Sequence, residues 1–135
     1  MTRRQAGAIA AGGAAGATLR WALVSISPSD GGVRWVVMAI NVAGSALLGV
    51  LLAEEWSRPR LRRWVHDFGA IGFCGGLTTF STFSLEIVEL LHERSANAAA
   101  LHAVLSVSLS VVALVAGAAA MRRTRAAGSP LEEVP

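Results

Sequence analysis

Residues 69–86 read Gly69-Ala70-Ile71-Gly72-Phe73-Cys74-Gly75-Gly76-Leu77-Thr78-Thr79-Phe80-Ser81-Thr82-Phe83-Ser84-Leu85-Glu86. The stretch lies inside an apolar block from about 65 to 91, long enough to cross a bilayer, for which about 20 mostly apolar residues suffice. Yet Gly75-Gly76 followed by two β-branched threonines is poor helix material, so the block reads as a spanning helix that breaks near 75–79. Unwound backbone inside a bilayer leaves N–H and C=O groups without water, and it persists only where protein buries it or a watery cavity wets it. Transporters place ion sites at such breaks; the plainer alternative is a packing kink supplied by glycine.

Working outward, hydropathy adds three more blocks, at about 6–26, 34–54 and 97–120. The 135 residues are 53% hydrophobic and only 16% charged, where soluble chains average about 25% charged. Mean hydropathy is +0.53. The expected fold is therefore an all-α membrane protein with four transmembrane helices, a single transmembrane domain over 1–121, and a disordered polar tail over 122–135. No separate soluble catalytic domain fits in the remainder. Ser27-Pro28-Ser29-Asp30-Gly31-Gly32 is a dense breaker cluster, Glu54 to Arg63 carries Pro59 and many charges, and His92-Glu93-Arg94-Ser95 is a minimal hairpin link. Trp21, Trp35, Trp56 and Trp64 fall near block ends, where indole rings prefer the headgroup level. The first block could pass for a signal peptide, but its Ala/Gly-rich run is interrupted by Arg20, and it reads as a retained helix.

The basic residues are all Arg, and their placement matters more than the net charge of +3, which in a soluble chain would raise the question of nucleic acid. With four spans both termini share one side. That side collects Arg3, Arg4, Arg58, Arg60, Arg62, Arg63, Arg122, Arg123 and Arg125, against only Arg34 and Arg94 on the other. The positive-inside rule then places both termini in the cytoplasm of a multi-pass cell-membrane protein. Cys74 is the single cysteine, so neither an internal disulfide nor a zinc site is expected.

Polar residues inside the blocks supply the candidate site. Phe80 and Phe83 share a helix face; ring edges are electropositive and can line an anion path without trapping the ion, although core packing is the ordinary use of such a pair. Thr79, Phe83 and Glu86 follow helical spacing. Asn41, with Gly44, Ser45 and Gly49 nearby, offers an amide at bilayer depth that must be bonded or face the interior; interhelical glue is the alternative. His102, Ser106 and Ser110 recur every four residues as a polar stripe on a Val/Leu/Ala helix. Gly12 and Gly16 form a small-residue contact surface. Arg20 either snorkels beside Trp21 or holds an anion at a vestibule.

Three segments together resemble the CrcB/Fluc fluoride channels: Gly12-Gly13-Ala14-Ala15-Gly16-Ala17-Thr18-Leu19-Arg20, Asn41-Val42-Ala43-Gly44-Ser45, and above all the run from Gly72 to Ser84. The resemblance covers all four blocks. It implies an antiparallel dimer with fluoride pores around a central sodium ion, which is structural and not transported. By the same resemblance Gly75 and Thr78 offer backbone carbonyls to sodium, Phe80 and Phe83 are pore phenylalanines, Asn41 is the pore asparagine, Ser106 and Ser110 belong to a polar track, and Glu86 is the acidic residue beyond the phenylalanines. His102 stands where many members have tyrosine, a departure that brings a group titrating near neutrality. The implied role is passive efflux of cytoplasmic fluoride, reducing its toxicity.

A second departure is the Arg asymmetry. A homodimer of antiparallel copies needs a chain that inserts both ways, whereas this distribution fixes one orientation, so the expected partner is either a second copy or a related, oppositely oriented subunit from a second gene. Other classes remain open on the sequence: a small proton-coupled exporter using Glu86 or Glu89, and a non-transporting membrane assembly subunit. An enzyme is not expected, since no nucleophile with a nearby base, metal cluster or phosphate loop is present.

Overall fold

The first helix, α1 (Arg3–Ser25), owes its existence to alanine, the strongest helix former, and to a capping box at its start. The Gln5 N–H donates to Thr2 Oγ1 at 3.3 Å and the Thr2 N–H donates to Gln5 Oε1 at 2.8 Å, which satisfies two of the donors a helix start leaves open. In this computed structural model the described residues are 1–27, 35–55, 58–93 and 95–128. The remaining elements are α2 (Trp35–Ala53), α3 (Pro59–Trp64), a π-helical segment (Val65–Cys74), α4 (Gly75–Leu77), α5 (Phe80–Glu93) and α6 (Ala96–Gly128). Pro59 opens α3 at the first turn, where its missing N–H is no loss.

Among the described residues three stretches are long and apolar enough to cross a membrane: Trp35–Ala53, Pro59–His92 and Ala96–Ala127. The expected fourth, over 6–26, is present as α1 but does not reach that hydropathy on its own, because glycines and Arg20 dilute its apolar run. What α1 has instead is a surface for close contact. A Cβ on Gly12 would strike the Phe68 carbonyl, one on Gly16 the Phe73 carbonyl, and one on Gly76 the Gly13 carbonyl. These glycines let α1 lie backbone to backbone against the π segment and α4, the small-residue packing that membranes favour where lipid supplies no hydrophobic drive. The pairing of α2 with α6 works the same way at Gly49 and Gly117.

α6 runs through Gly128, past the position where the polar tail was expected to begin. Arg125 is the physical reason: its guanidinium donates to the Ala53 carbonyl at 3.3 Å and pairs with Glu55, tying the end of α6 to the end of α2. That bond holds the Glu55 carboxyl below the usual carboxylate range. Residues 129–135 lie outside the described residues, as do Arg34, Arg94, Trp56 and most of the 27–32 turn. Trp21, Trp35 and Trp64 are all exposed, as indoles at the headgroup level should be.

The helical path from Pro59 is interrupted once before α5. Thr78 has φ −76° and ψ 155°, an extended conformation, and neither it nor Thr79 is helical. Ahead of α4, the ten residues Val65–Cys74 are π-helical, a geometry the sequence did not signal and that occurs frequently at functional sites.

Candidate functional site: an interrupted helix beside an open groove

The interruption is held by one side chain from α2. Asn41 Oδ1 accepts the Thr79 N–H at 2.8 Å, and Asn41 Nδ2 donates to the Thr79 carbonyl at 3.1 Å. Both backbone groups of a residue that is 8% exposed are thereby satisfied, as bilayer depth requires. Asn41 thus has the bonded, inward-facing role expected of it, and one of its amide hydrogens is committed to the break.

One of these bonds, together with a further one, shows what the break sets free. In a continuous helix the Thr79 N–H would go to the Gly75 carbonyl and the Thr82 N–H to the Thr78 carbonyl. Here the first goes to Asn41 and the second to Thr79 Oγ1 at 3.2 Å, so the Gly75 and Thr78 carbonyls both lose their helical donors. The Thr79 hydroxyl caps the start of α5, within reach of Ser81 Oγ and Thr82 Oγ1 at 3.2 Å each. Thr78 turns its own hydroxyl back to the Cys74 carbonyl at 2.9 Å. A Cβ on Gly75 would meet nothing within 4 Å, so this backbone faces open space, in contrast to Gly72 and Gly76, whose Cβ atoms would strike α1 backbone.

Beside the break lies a groove of about 380 Å³. It brings together Asn41, Gly75, Thr78, Thr79, Phe80, Phe83, Ser106 and Ser110, residues drawn from three of the four apolar blocks. Ser45, Val107 and Val111 also line it. Phe80 is 78% exposed, so it is not a core residue of this chain; its ring lies 5.6 Å from that of Phe83, tilted by 44°. Core packing therefore does not account for Phe80, whereas Phe83 is half-buried.

Three candidates fall outside the groove walls. Glu86 and His102 are buried together, Nε2 to Oε2 at 3.2 Å, and the imidazole stacks on Phe83 at 6.3 Å. Both residues stand out in the sequence but their bond does not, although each lies eight positions from Arg94 in the hairpin link. Arg20 is half-buried beside exposed Trp21 and makes no ion pair among the described residues. At the Arg-rich end a second, polar hollow of about 770 Å³ is lined by Gln5, Glu54, Arg62, Arg63, His66 and Asp67.

Apolar helices long enough to cross a membrane, an interrupted span whose Thr79 backbone is held by Asn41, and a groove lined by amide, hydroxyl and phenyl groups define a small multi-pass membrane protein. Residues 7–118 match the family described as CrcB-like protein, Camphor Resistance (CrcB), and the chain belongs to that family. Relatives named "Fluoride-specific ion channel FluC" include one from Nitrobacter winogradskyi, 44% identical with 82% of this chain and 89% of the relative covered. Another, from Bordetella petrii, is 43% identical over 85% of this chain and 91% of its own length. "Fluoride-specific ion channel FluC 1" of Mycobacterium bovis is 32% identical over 90% and 93%.

Proposed function

We propose that this chain is a subunit of a fluoride-selective channel that lets fluoride leave the cytoplasm passively and so reduces its toxicity; it is not an enzyme. The observation that carries the reading is the break clamped by Asn41 at the wall of a groove that also holds Phe80, Phe83, Ser106 and Ser110. Fluoride is small and strongly hydrated, so a path must replace its water with donors. Conduction then needs each site weak enough to release the ion. Hydroxyls of Ser106 and Ser110, the uncommitted amide hydrogen of Asn41 and the electropositive edges of Phe80 and Phe83 provide such a series without a fixed cation. Thr79 serves the path by holding the break, Glu86 stands beyond Phe83, and Arg20 stands at a vestibule.

The backbone at the break fits a hard monovalent cation, since the Gly75 and Thr78 carbonyls have lost their helical donors and Gly75 faces open space. Sodium bound there would supply a structural charge that knits subunits together. The same exposed Gly75 and Phe80 support a dimer in which a second subunit closes the groove. In this reading the 1–121 region is the transmembrane domain, the termini are cytoplasmic, and the one-sided Arg distribution favours a related, oppositely oriented subunit from a second gene over a second copy. No role with nucleic acid is proposed.

Fluoride efflux from liposomes, read with a fluoride electrode and with chloride as control, tests the function. The expected result is fluoride efflux without chloride efflux; efflux that requires an imposed pH gradient and disappears in Glu86→Gln would instead identify a proton-coupled exporter, and a protein inert with or without a related subunit would identify an assembly subunit. Full activity of the purified chain alone would sink the two-gene arrangement.

A further inference from the structure

The hollow at the Arg-rich end has no part in the path just described. At about 770 Å³ it falls in the range of ligand pockets, about 300–1,000 Å³. Its walls carry charge of both signs: Arg62 and Arg63 of α3 stand against Glu54, just past α2, and Asp67 of the π-helical segment. These opposite charges do not close on one another. The ion pairs at this end are His66 with Asp67, at 3.1 Å, and Arg125 with Glu55, whereas the side chains of Arg62, Arg63 and Glu54 form no ion pair or hydrogen bond among the described residues.

The hollow also lies where membrane meets water. The apolar span of α2 ends at Ala53, one residue before Glu54, and Leu51 and Leu52 of that span line the same hollow. Leu52 is exposed. Trp64, next to Arg63, is exposed as well and stacks on Phe68 at 4.7 Å, in keeping with an indole at the headgroup level. An occupant therefore meets guanidinium and carboxylate on one side and lipid-facing leucine on the other. A small hydrophilic solute uses only the first of these; a phospholipid uses both.

We propose that this hollow holds the headgroup of a zwitterionic phospholipid with a primary ammonium: its phosphate on Arg62 and Arg63, its ammonium on Glu54 and Asp67, and its acyl chains leaving past Leu51 and Leu52. The planar donor fork of a guanidinium matches phosphate oxygens. A primary ammonium brings three N–H donors to the carboxylates, and a quaternary ammonium brings none. A purely anionic headgroup gains from the arginines but loses against Glu54 and Asp67, so the mixed lining selects the dipolar lipid. Arg58 and Arg60 are exposed outside the hollow; they attract any anionic surface and add no such selectivity. The site requires only that the chain spans a membrane, whatever the protein conducts.

The test is native mass spectrometry of the purified protein in detergent micelles, with dioleoyl phosphatidylethanolamine, phosphatidylcholine or phosphatidylglycerol added in equal amount and the lipid retained per chain recorded. Wild type is expected to hold the ethanolamine lipid about fivefold better than the other two, the size of one charge pair near the surface. Arg62→Gln with Arg63→Gln should weaken that retention by about fivefold per arginine. Arg122→Gln with Arg123→Gln, the same loss of charge on exposed α6 residues that do not line the hollow, should leave it unchanged. Glu54→Gln should reverse the selectivity, weakening the ethanolamine lipid and strengthening phosphatidylglycerol. Each variant should melt within a few degrees of wild type without lipid, and the wild-type ranking is read without any substitution. Glycerophosphoethanolamine and inorganic phosphate bring no chains to Leu51 and Leu52 and should displace no lipid; displacement by either at the lipid's own concentration assigns the hollow to a soluble phosphate and overturns the lipid. Equal retention of the three lipids, a wild-type preference for phosphatidylglycerol, an unaltered ranking in Glu54→Gln, or equal losses in the two arginine pairs overturns the assignment.

Discussion

Removing the Asn41 side chain should unlock the helix break, and the structure sets the size of the effect. Asn41→Ala deletes both partners of Thr79 at once, the acceptor at 2.8 Å and the donor at 3.1 Å. An average interhelical side-chain hydrogen bond in a membrane contributes only about 0.6 kcal/mol, so two ordinary bonds would amount to about 1 kcal/mol. Thr79 is no ordinary partner, because its N–H and C=O belong to non-helical backbone that is 8% exposed. Each orphaned buried group costs about 1–3 kcal/mol. With some relief from water in the adjoining groove, a loss of about 3 kcal/mol is expected, more than a hundredfold in the unfolding equilibrium. Asn41→Leu, which restores the volume without the bonds, separates the hydrogen-bond effect from that of a cavity and should be equally destabilising. Equilibrium unfolding of purified protein in detergent micelles, followed by tryptophan fluorescence, gives the measurement. If both variants fall within about 0.5 kcal/mol of wild type, where neutral surface substitutions lie, the clamp is not what holds the break.

The glycines give a paired prediction: Gly16→Leu should abolish well-folded protein on gel filtration, because its Cβ alone would meet the Phe73 carbonyl and come within 2.7 Å of the Leu77 nitrogen. Gly75→Ala should leave the fold intact, since a Cβ there meets nothing within 4 Å, and, in the proposed dimer, should weaken only association, read by crosslinking. Phe80→Ile and Phe83→Ile should lower fluoride flux by tenfold or more, about 1.4 kcal/mol in barrier, with the melting temperature of Phe80→Ile within a few degrees of wild type since that ring is 78% exposed; unchanged flux in both would favour a scaffold. The Arg125 bond lowers the Glu55 carboxyl below its ordinary value, so the pair's contribution is present above the ordinary carboxylate range and lost as pH falls through the lowered value. Glu55→Gln should therefore remove a small stabilisation that high salt also removes, whereas Arg125→Ala should lower the melting temperature further, because it also frees the Ala53 carbonyl.

Much of the site was legible because its residues announce themselves by misplacement. Gly75-Gly76-Leu77-Thr78-Thr79 is poor helix inside an apolar block, and an asparagine or a serine stripe at bilayer depth must be bonded or functional. Less legible were features that depend on how blocks meet. The π-helical turns of Val65–Cys74 have no propensity signature, and they lie in backbone contact with α1, which no local window contains. The continuation of α6 through Arg125 reads as a polar tail until the end of α2 is brought against it.

The amino-acid sequence by itself determined the solvent, the break and the family, since these rest on local quantities: the run of apolar side chains, the helix penalty of glycine and β-branched residues, and a long motif. Tertiary structure alone decided the partners. It gave the Thr79 backbone to Asn41 and so withdrew the helical donor from Gly75, left Phe80 outside the core, and set His102 against Glu86. The reason is physical: a hydrogen bond inside a membrane is decided by which polar groups the packed helices leave without an alternative, and that is a property of the assembly of helices and of no single segment.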